Sequence, residues 1–448
     1  MGILNSSDSC NNLRRQFEQL LTKFDEVDLA GFGGYSGRKL LFLQSLMYLQ
    51  ADGLSNSVQT SLTPFIGNAF SYSVKRGGGE IIAYCSPRYH KRLDMQRMFD
   101  NICSCMDSPS TLVGIRKIEV RPAHAANVAL IPFWRKALRD AGVDVRLIKY
   151  LIPFLAKARN VLSFLEENRC LFDDKRLMVT LFDQDYDEYL VTEFCRNLGI
   201  KTAVMQHGHF SGQNDNRDLF SLPYPYENLN ADYFLAWGDI SKDRAVSCGV
   251  LEEKILTLGN PKHIGIAKRV DLHSQEMAHK NCFAVMLEAD LYETQKTLNR
   301  QMIALANRLC SDYGLTCLVK PHPGDDFGSL SMGTGGNSNI SLMSAGSDPA
   351  LLADMADFFI CAQSSAYAEL LCLGKAVLRY VPDKSQDKYA EIETGVFSNY
   401  ATLEEKYRQM RCDEANFFAA LAKNAQALCS DGDVRDRYRR GFDWLIRR

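Results

Sequence analysis

Between Arg176 and Asn260, short apolar runs alternate with amphipathic stretches, and no other feature restricts the possible folds of this chain as tightly. Leu177-Met178-Val179-Thr180-Leu181-Phe182 reads as a strand, the stretch from Asp185 to Leu198 as a helix stopped by Gly199, and Lys201 to Met205 as the next strand. Asp232 to Gly238 gives another strand, Ser241 caps a helix running to Cys248, Gly249 stops it, and Ile255-Leu256-Thr257-Leu258 follows. Strands alternating with helices in this way predict a parallel sheet covered by helices on both faces.

A polar stretch from Lys262 to Lys280 carries no strand pattern, after which the alternation restarts with Cys282-Phe283-Ala284-Val285-Met286-Leu287. The second series reads as a helix from about Glu293 to Tyr313, a strand from Thr316 to Val319, and a Gly/Ser/Asn-rich loop from Gly328 to Asn339. A strand from Ile340 to Met343, a helix capped by Ser347 or Asp348, a strand from Asp357 to Cys361, a helix from Ser364 to Leu373 and a strand from Ala376 to Tyr380 complete it. The 448 residues also exceed what one hydrophobic core organises. The expectation is an α/β protein with one Rossmann-like domain over 1–262, a second over 263–425, and a final helix over 426–448 packing back on the first. Two doubly wound sheets facing across a cleft hold ligands at the carboxyl ends of their strands.

Lys+Arg 52 against Asp+Glu 54 leaves no global charge to draw the chain to nucleic acid, so an anionic ligand must be held locally. The 14 cysteines form no CxxC pair and lie mostly in apolar runs, such as Leu371-Cys372-Leu373, which predicts reduced core thiols in a cytoplasmic protein. Cys103-Ser104-Cys105 has no further Cys or His at zinc-ligand spacing, and no metal or cofactor is expected. No run reaches about 18 apolar residues, the length a membrane-crossing helix needs.

Three motifs fall at predicted strand ends. Ser364 and Ser365 open a helix whose free N–H groups and positive dipole end suit a phosphate, and Glu369 stands one turn further on, placed to accept bonds from ribose hydroxyls. An ordinary serine cap with a solvated glutamate is the competing reading. Lys320 and His322, the latter between prolines that fix the backbone, put cationic and imidazole groups where they can neutralise departing phosphate oxygens; a rigid turn with a surface histidine competes. Gln206-His207-Gly208 closes a strand, and either His207 or His209, two residues on, has the pKa range of a general base; a structural histidine is the alternative.

Weaker signals surround these. Asp183-Gln184-Asp185 matches a DxD metal-and-phosphate pattern but also an acidic helix start. Gly33 and Gly34 belong to a glycine-rich turn that lacks phosphate-loop spacing and is read as lining the acceptor side of the cleft, or as turn geometry alone. From Asp433 to Arg448, six arginines and three aspartates surround Phe442, Trp444, Leu445 and Ile446, a solvated helix face or one that touches anionic lipid headgroups on the inner face of the membrane.

The combined pattern of Gln206-His207-Gly208, Gly259-Asn260-Pro261, Lys320-Pro321-His322-Pro323 and Ser364-Ser365-x3-Glu369 resembles GT-B glycosyltransferases of bacterial surface polysaccharide assembly. It is similar to capsule and lipopolysaccharide Kdo transferases and to the glycerol-phosphate polymerases of teichoic acid synthesis. That resemblance implies a nucleotide-activated donor, CMP-, CDP- or UDP-linked, whose phosphate meets His322, Ser364 and Ser365 and whose nucleotide or sugar meets Glu369. It implies a glycan acceptor, in some such systems lipid-linked, whose hydroxyl meets His207. The polymerases carry Trp where this chain has Gln206. Non-hydrolysing UDP-N-acetylglucosamine 2-epimerases share the fold and a Leu-Gly-Lys after the corresponding helix, here Leu373-Gly374-Lys375, and their chemistry would need acids such as Asp183, Asp185 or Glu288. A catalytically idle nucleotide-binding scaffold subunit is the third reading.

Overall fold

A computed structural model describes residues 6–50, 71–89, 92–115, 122–208, 229–264, 281–289, 293–322, 339–344, 352, 354–384, 387–429 and 433–448. Two sheets organise them. The first runs β1-β3-β2-β4-β5-β6-β7, from β1 (Ser71–Lys75), β2 (Ile81–Cys85), β3 (Ser110–Ile115), β4 (Leu177–Thr180), β5 (Lys201–Met205), β6 (Tyr233–Ala236) and β7 (Ile255–Thr257). Only β1 is antiparallel, on β3. The second runs β10-β9-β8-β11-β12-β13, from β8 (Cys282–Met286), β9 (Thr316–Lys320), β10 (Ile340–Leu342), β11 (Phe358–Cys361), β12 (Ala376–Tyr380) and β13 (Val396–Phe397), and every pairing in it is parallel.

The central strands are buried on both faces, which is why their sequences are continuously apolar rather than alternating. Val179 pairs with Ala83 on one side and Ala203 on the other, and Ile360 with Val285 and Leu378. The helices between strands stop where the sequence predicts. Gly199 at φ 76° and Gly249 at φ 94° take the left-handed conformation that ends the helices Tyr186–Asn197 and Asp239–Ser247 and turns the chain into β5 and toward β7. The loop from Gly328 and the helix start at Ser347 or Asp348 lie outside the described residues, apart from Asn339.

Strand order fixes where a crevice opens. In the first sheet the chain moves outward from β2 to β3 and then returns to the opposite side for β4, so the order reverses between β2 and β4. In the second it moves from β8 to β9 and β10 and returns for β11, reversing between β8 and β11. The loops leaving these pairs diverge to opposite faces of the sheet.

The helix Val434–Arg447 leaves the second sheet's core and joins the first. Tyr438, Phe442 and Leu445, at i, i+4 and i+7, bury against Ala203, Met205 and Leu258. The Tyr438 hydroxyl donates to the Gly259 carbonyl at 3.2 Å, and Lys201 Nζ donates to the Leu445 carbonyl at 3.0 Å. Arg435, Arg439, Arg440, Arg447 and Arg448 face outward with Trp444, which is 43% exposed. No helix among the described residues is long and apolar enough to cross a membrane.

The two halves touch at several points. Arg244 Nη2 donates to both Glu391 carboxylate oxygens, at 2.9 and 2.8 Å, and to the Lys388 carbonyl at 2.7 Å. Gly238 lies so close to the Leu428 carbonyl that a Cβ there would stand 2.4 Å from it. One expectation needs correcting: Cys372 is not a free thiol but is bonded to Cys429, 57 residues away. Two helix ends in the second core bring the pair together, a proximity that spacing along the sequence does not reveal.

Phe442 is 1% exposed, so Phe442→Ala should destabilise the first half by about 3–5 kcal/mol. Trp444→Ala should cost less than about 1 kcal/mol. Urea denaturation of the two variants checks this, and equal midpoints would mean that the final helix contributes little to the first core.

Candidate functional site

At the end of β5, Gln206 is fully buried and locks the strand to its neighbour. Its backbone N–H donates to the Leu235 carbonyl at 3.0 Å, and its side-chain Oε1 accepts the Trp237 N–H at 2.8 Å. Its own carbonyl accepts Trp237 Nε1 at 2.7 Å, and its Nε2 donates to the Gly208 carbonyl at 3.1 Å. Gln206 is thus a positioning group for the turn, with its amide engaged at both ends. The neighbouring His207 ring sits edge-on to Phe182, centroids 5.2 Å apart, and 6.4 Å from the Tyr89 ring. Phe182 follows β4 and Tyr89 follows β2, so His207 stands over the reversal point of the first sheet. Gly208 has open space around it. His209 lies outside the described residues.

Beneath this corner lies a group the sequence did not single out. Asp187, the second residue of its helix, accepts the hydroxyls of Tyr84 and Ser86, each at 2.7 Å. Burial, reinforced by Asp185, pushes its carboxyl up to about 6 against the opposing hydrogen bonds. Its only sequence signal was the acidic helix start.

The second sheet presents its own reversal point. Glu288, half-buried just after β8, has its pKa raised by desolvation, and its Oε1 accepts the Gln363 N–H at 2.7 Å. Asn299 holds the Glu288 backbone through 2.9 Å bonds to its N–H and carbonyl. Gln363 Oε1 in turn accepts the Lys388 N–H at 2.8 Å, and the Tyr389 hydroxyl donates to the Ser364 carbonyl at 2.9 Å. This lattice fixes the start of the helix Ser365–Cys372.

Ser364 occupies the N-cap position with extended backbone, yet its side chain makes no cap bond. Its Oγ is buried with no hydrogen-bond partner. The ordinary serine cap is therefore unmade, and the hydroxyl is left unsatisfied at the helix end. Ser365 is partly exposed beside it. His322, also partly exposed, follows β9, two strands from β11 with β8 between, or roughly 10 Å across the sheet. Lys320 is only 3% exposed and its Nζ donates to the Pro321 carbonyl at 3.2 Å, so its charge lies below the turn.

Glu369 does not stand open as expected. It pairs at 2.7 Å with Lys262, which belongs to the turn after Gly259-Asn260-Pro261, and each side chain is 13% exposed. Asn260 shapes that turn by accepting the Lys262 N–H at 3.0 Å, and Asn101 holds it by donating to the Pro261 carbonyl at 3.0 Å. The sequence reading used this turn only in the resemblance and missed Lys262. The ion pair brings the face of the helix that carries Glu369 to the joint between the halves.

Other sequence candidates are occupied elsewhere. The Asp183 carboxylate accepts the Asn230 and Ala231 N–H groups at 2.7 and 2.8 Å, and burial raises it to about 6. Asp185 caps its helix by accepting the Tyr186 N–H at 2.8 Å. The pair thus anchors backbone, which accounts for the DxD match without an ion. Gly34 takes φ 85° in a turn in which Tyr35 N–H donates to the Phe32 carbonyl and Ser36 N–H to the Tyr189 hydroxyl. A Cβ at Gly33 or Gly34 would meet nothing within 4 Å, so turn geometry explains the motif and neither glycine marks a close approach.

Two doubly wound α/β sheets, each with a reversal of strand order, give the chain a GT-B-like fold. No protein-family profile matches the chain, and no curated protein matches it. Among solved structures it is similar to Staphylococcus aureus MnaA with UDP, at 13% identity over 82% of this chain and 97% of that one, with TM-score 0.51. A UDP-N-acetylglucosamine 2-epimerase assigned in Listeria monocytogenes gives 11% identity, 81% and 94% coverage, and TM-score 0.51. The wall teichoic acid polymerase TagF aligns at 12% identity over 82% and 88%, with TM-score 0.46.

Asp187 supplies a pH-dependent check. Because its folded-state pKa is raised, its contribution favours folding below about 4 and is lost as pH rises through about 6. Asp187→Asn should therefore gain on the wild type by roughly 2–3 kcal/mol between pH 4 and pH 7.5 in denaturation experiments. A constant difference across that range would show that Asp187 does not titrate there.

Proposed function

We propose that this protein is a GT-B-type glycosyltransferase that moves a sugar, or less readily a polyol phosphate, from a nucleotide-activated donor to a growing surface glycan. The observation that carries the reading is the Ser364 hydroxyl, buried without a partner at a helix start on the reversal point of the second sheet. A donor phosphate there accepts bonds from the Ser364 and Ser365 hydroxyls and from free N–H groups at the positive end of the helix dipole. His322, on the far side of Glu288, serves the leaving phosphate. Residues 263–425 form the donor side in this reading and residues 1–262 the acceptor side.

His207 acts as the base. Its ring is steadied by Phe182 and Tyr89, and the backbone clamp of Gln206 fixes the turn that carries it. An acceptor hydroxyl entering over Gly208 gives its proton to the imidazole as its oxygen attacks the sugar's anomeric carbon; the nucleoside diphosphate or monophosphate leaves with the bonding pair. Glu369 meets a ribose or sugar hydroxyl only after releasing Lys262, whose ammonium then neutralises phosphate charge. Binding thereby rearranges the joint between the halves.

The fold likeness to the Listeria monocytogenes protein assigned as a UDP-N-acetylglucosamine 2-epimerase favours a second reading, a nucleotide-sugar 2-epimerase. Its weakness lies in the acids: Asp183, Asp185 and Glu288 each hold backbone N–H groups rather than standing free to exchange protons.

Thermal-shift titration with CMP, CDP, UDP, GDP and dTDP tests the donor site, with wild type, Ser364→Ala and His322→Ala compared. One nucleotide at about 100 times its dissociation constant should add roughly 2.7 kcal/mol, with both variants weakened. Transfer from the matching nucleotide sugar should then fall by about a hundredfold or more in His207→Ala. Stabilisation by no nucleotide at millimolar concentration would move the idle scaffold to first place, whereas 2-epimerisation of UDP-N-acetylglucosamine without acceptor would establish the second reading.

The outward arginines of the last helix support contact with an anionic membrane face on which a lipid-linked acceptor would reside. Replacing Arg439, Arg440, Arg447 and Arg448 by Gln should abolish sedimentation with phosphatidylglycerol vesicles. Unchanged sedimentation would discard that contact.

A further inference from the structure

Beside the joint between the halves, His263, Cys372 and Cys429 bring an imidazole nitrogen and two sulfurs within 4.8 Å of one another. They arrive from three elements. His263 closes the Pro261–His263 turn at the end of the first half, Cys372 ends the Ser365–Cys372 helix, and Cys429 follows the Glu414–Leu428 helix. His263 Nε2 is buried and has no hydrogen-bond partner. A buried ring nitrogen is ordinarily satisfied, and His263 leaves one open while its ring stands beside two sulfurs, a donor set that a metal ion would complete.

In the structure the two sulfurs are bonded to each other. Their Cα atoms are 6.4 Å apart. That spacing also lets the side chains rotate apart to the roughly 3.8 Å that two thiolates need on one tetrahedral zinc, with zinc–sulfur bonds of about 2.3 Å. Two sulfurs and one imidazole form a donor set that favours zinc over magnesium or calcium, which require oxygen.

We propose that the reduced protein binds one Zn²⁺ through His263, Cys372 and Cys429. A dithiol reductant delivers two electrons and two protons to the bridge, which opens to two thiols as the reductant closes to its own disulfide. Zinc then displaces both thiol protons to solvent and takes the two thiolates and the neutral imidazole, leaving a fourth position for water. Cys372 lies on the helix that begins at Ser364, and His263 adjoins Lys262, the partner of Glu369. The ion therefore ties the first half to the donor-site helix, and the disulfide state releases His263 from that tie. The zinc site stands on these three residues and is independent of the transferase reading.

The test uses the full chain, reduced with a phosphine and stripped of metal, then titrated with Zn²⁺ against a chromophoric chelator and with Co²⁺ for its thiolate-to-metal absorption. One equivalent should bind, with the thiolate band present and both cysteines protected from alkylation in peptide mapping. Cys372→Ser and Cys429→Ser should each lose the band, and His263→Gln, which keeps both thiols, should weaken binding by about tenfold or more. Three results overturn the proposal: binding no tighter than in a Cys372→Ser/Cys429→Ser double variant, equal affinity in His263→Gln, or persistence of the disulfide in the natively folded, reductant-treated protein. The alkylation pattern of wild type is read without any variant, so misfolding of a substituted chain does not decide the outcome.

Discussion

A parallel strand buried on both faces has no side chain left for solution chemistry, so a ligand of these sheets must be met where the strands end. That constraint arranges both cores. The apolar runs that make β4 and β11 leave polar groups such as His207 and Ser364 to the segments beyond the strands, and strand order then selects which of those segments diverge. His207, Phe182 and Tyr89 collect at one such place and Glu288, Gln363 and Ser364 at the other. The rigidity of each collection comes from bonds to backbone: Gln206 to Trp237, Glu288 to Gln363, Tyr389 to Ser364.

The joint between the halves is built differently, from charge. Lys262–Glu369 and Arg244–Glu391 are both partly shielded from water, and removing one member of a fully buried pair costs about 3–5 kcal/mol. These pairs are less costly to open because each retains some exposure. The halves thus meet through ion pairs that set an arrangement without being sealed from water. Under the proposed function Lys262 is the natural participant in an exchange, since a phosphate offers the same kind of oxygen as the carboxylate it would replace.

The sequence from Arg176 onward was easier to interpret than the stretch before it, for a physical reason. Central strands such as Leu177 to Thr180 and Phe358 to Cys361 are apolar throughout and cannot be mistaken for loops, and Gly199 and Gly249 end helices through a backbone conformation that other residues disfavour. By contrast β1, Ser71-Tyr72-Ser73-Val74-Lys75, is an edge strand, largely exposed and paired on one side only, so its sequence resembles a loop. Of the apolar residues that the sequence offered in the last helix, Phe442 and Leu445 lie in the first core while Trp444 is left exposed, and Tyr438 joins them unannounced. The positions of the candidate residues were legible where local geometry decides, as at Ser364 and His207. They were missed or misread where a distant partner decides: Glu369 looked free because Lys262 is 107 residues away, and Cys372 looked reduced because Cys429 is 57 residues away. Glu288 looked like a free acid because nothing in the sequence ties it to the Gln363 amide.

The chain passes between the two cores twice, once after β7 and again between Cys429 and Val434. Two covalent links join the cores, so a single cut in the backbone would not part them. The final helix, far along the sequence yet packed beside the end of β7, makes the first core depend on residues 434–447 as well as on those that build its sheet.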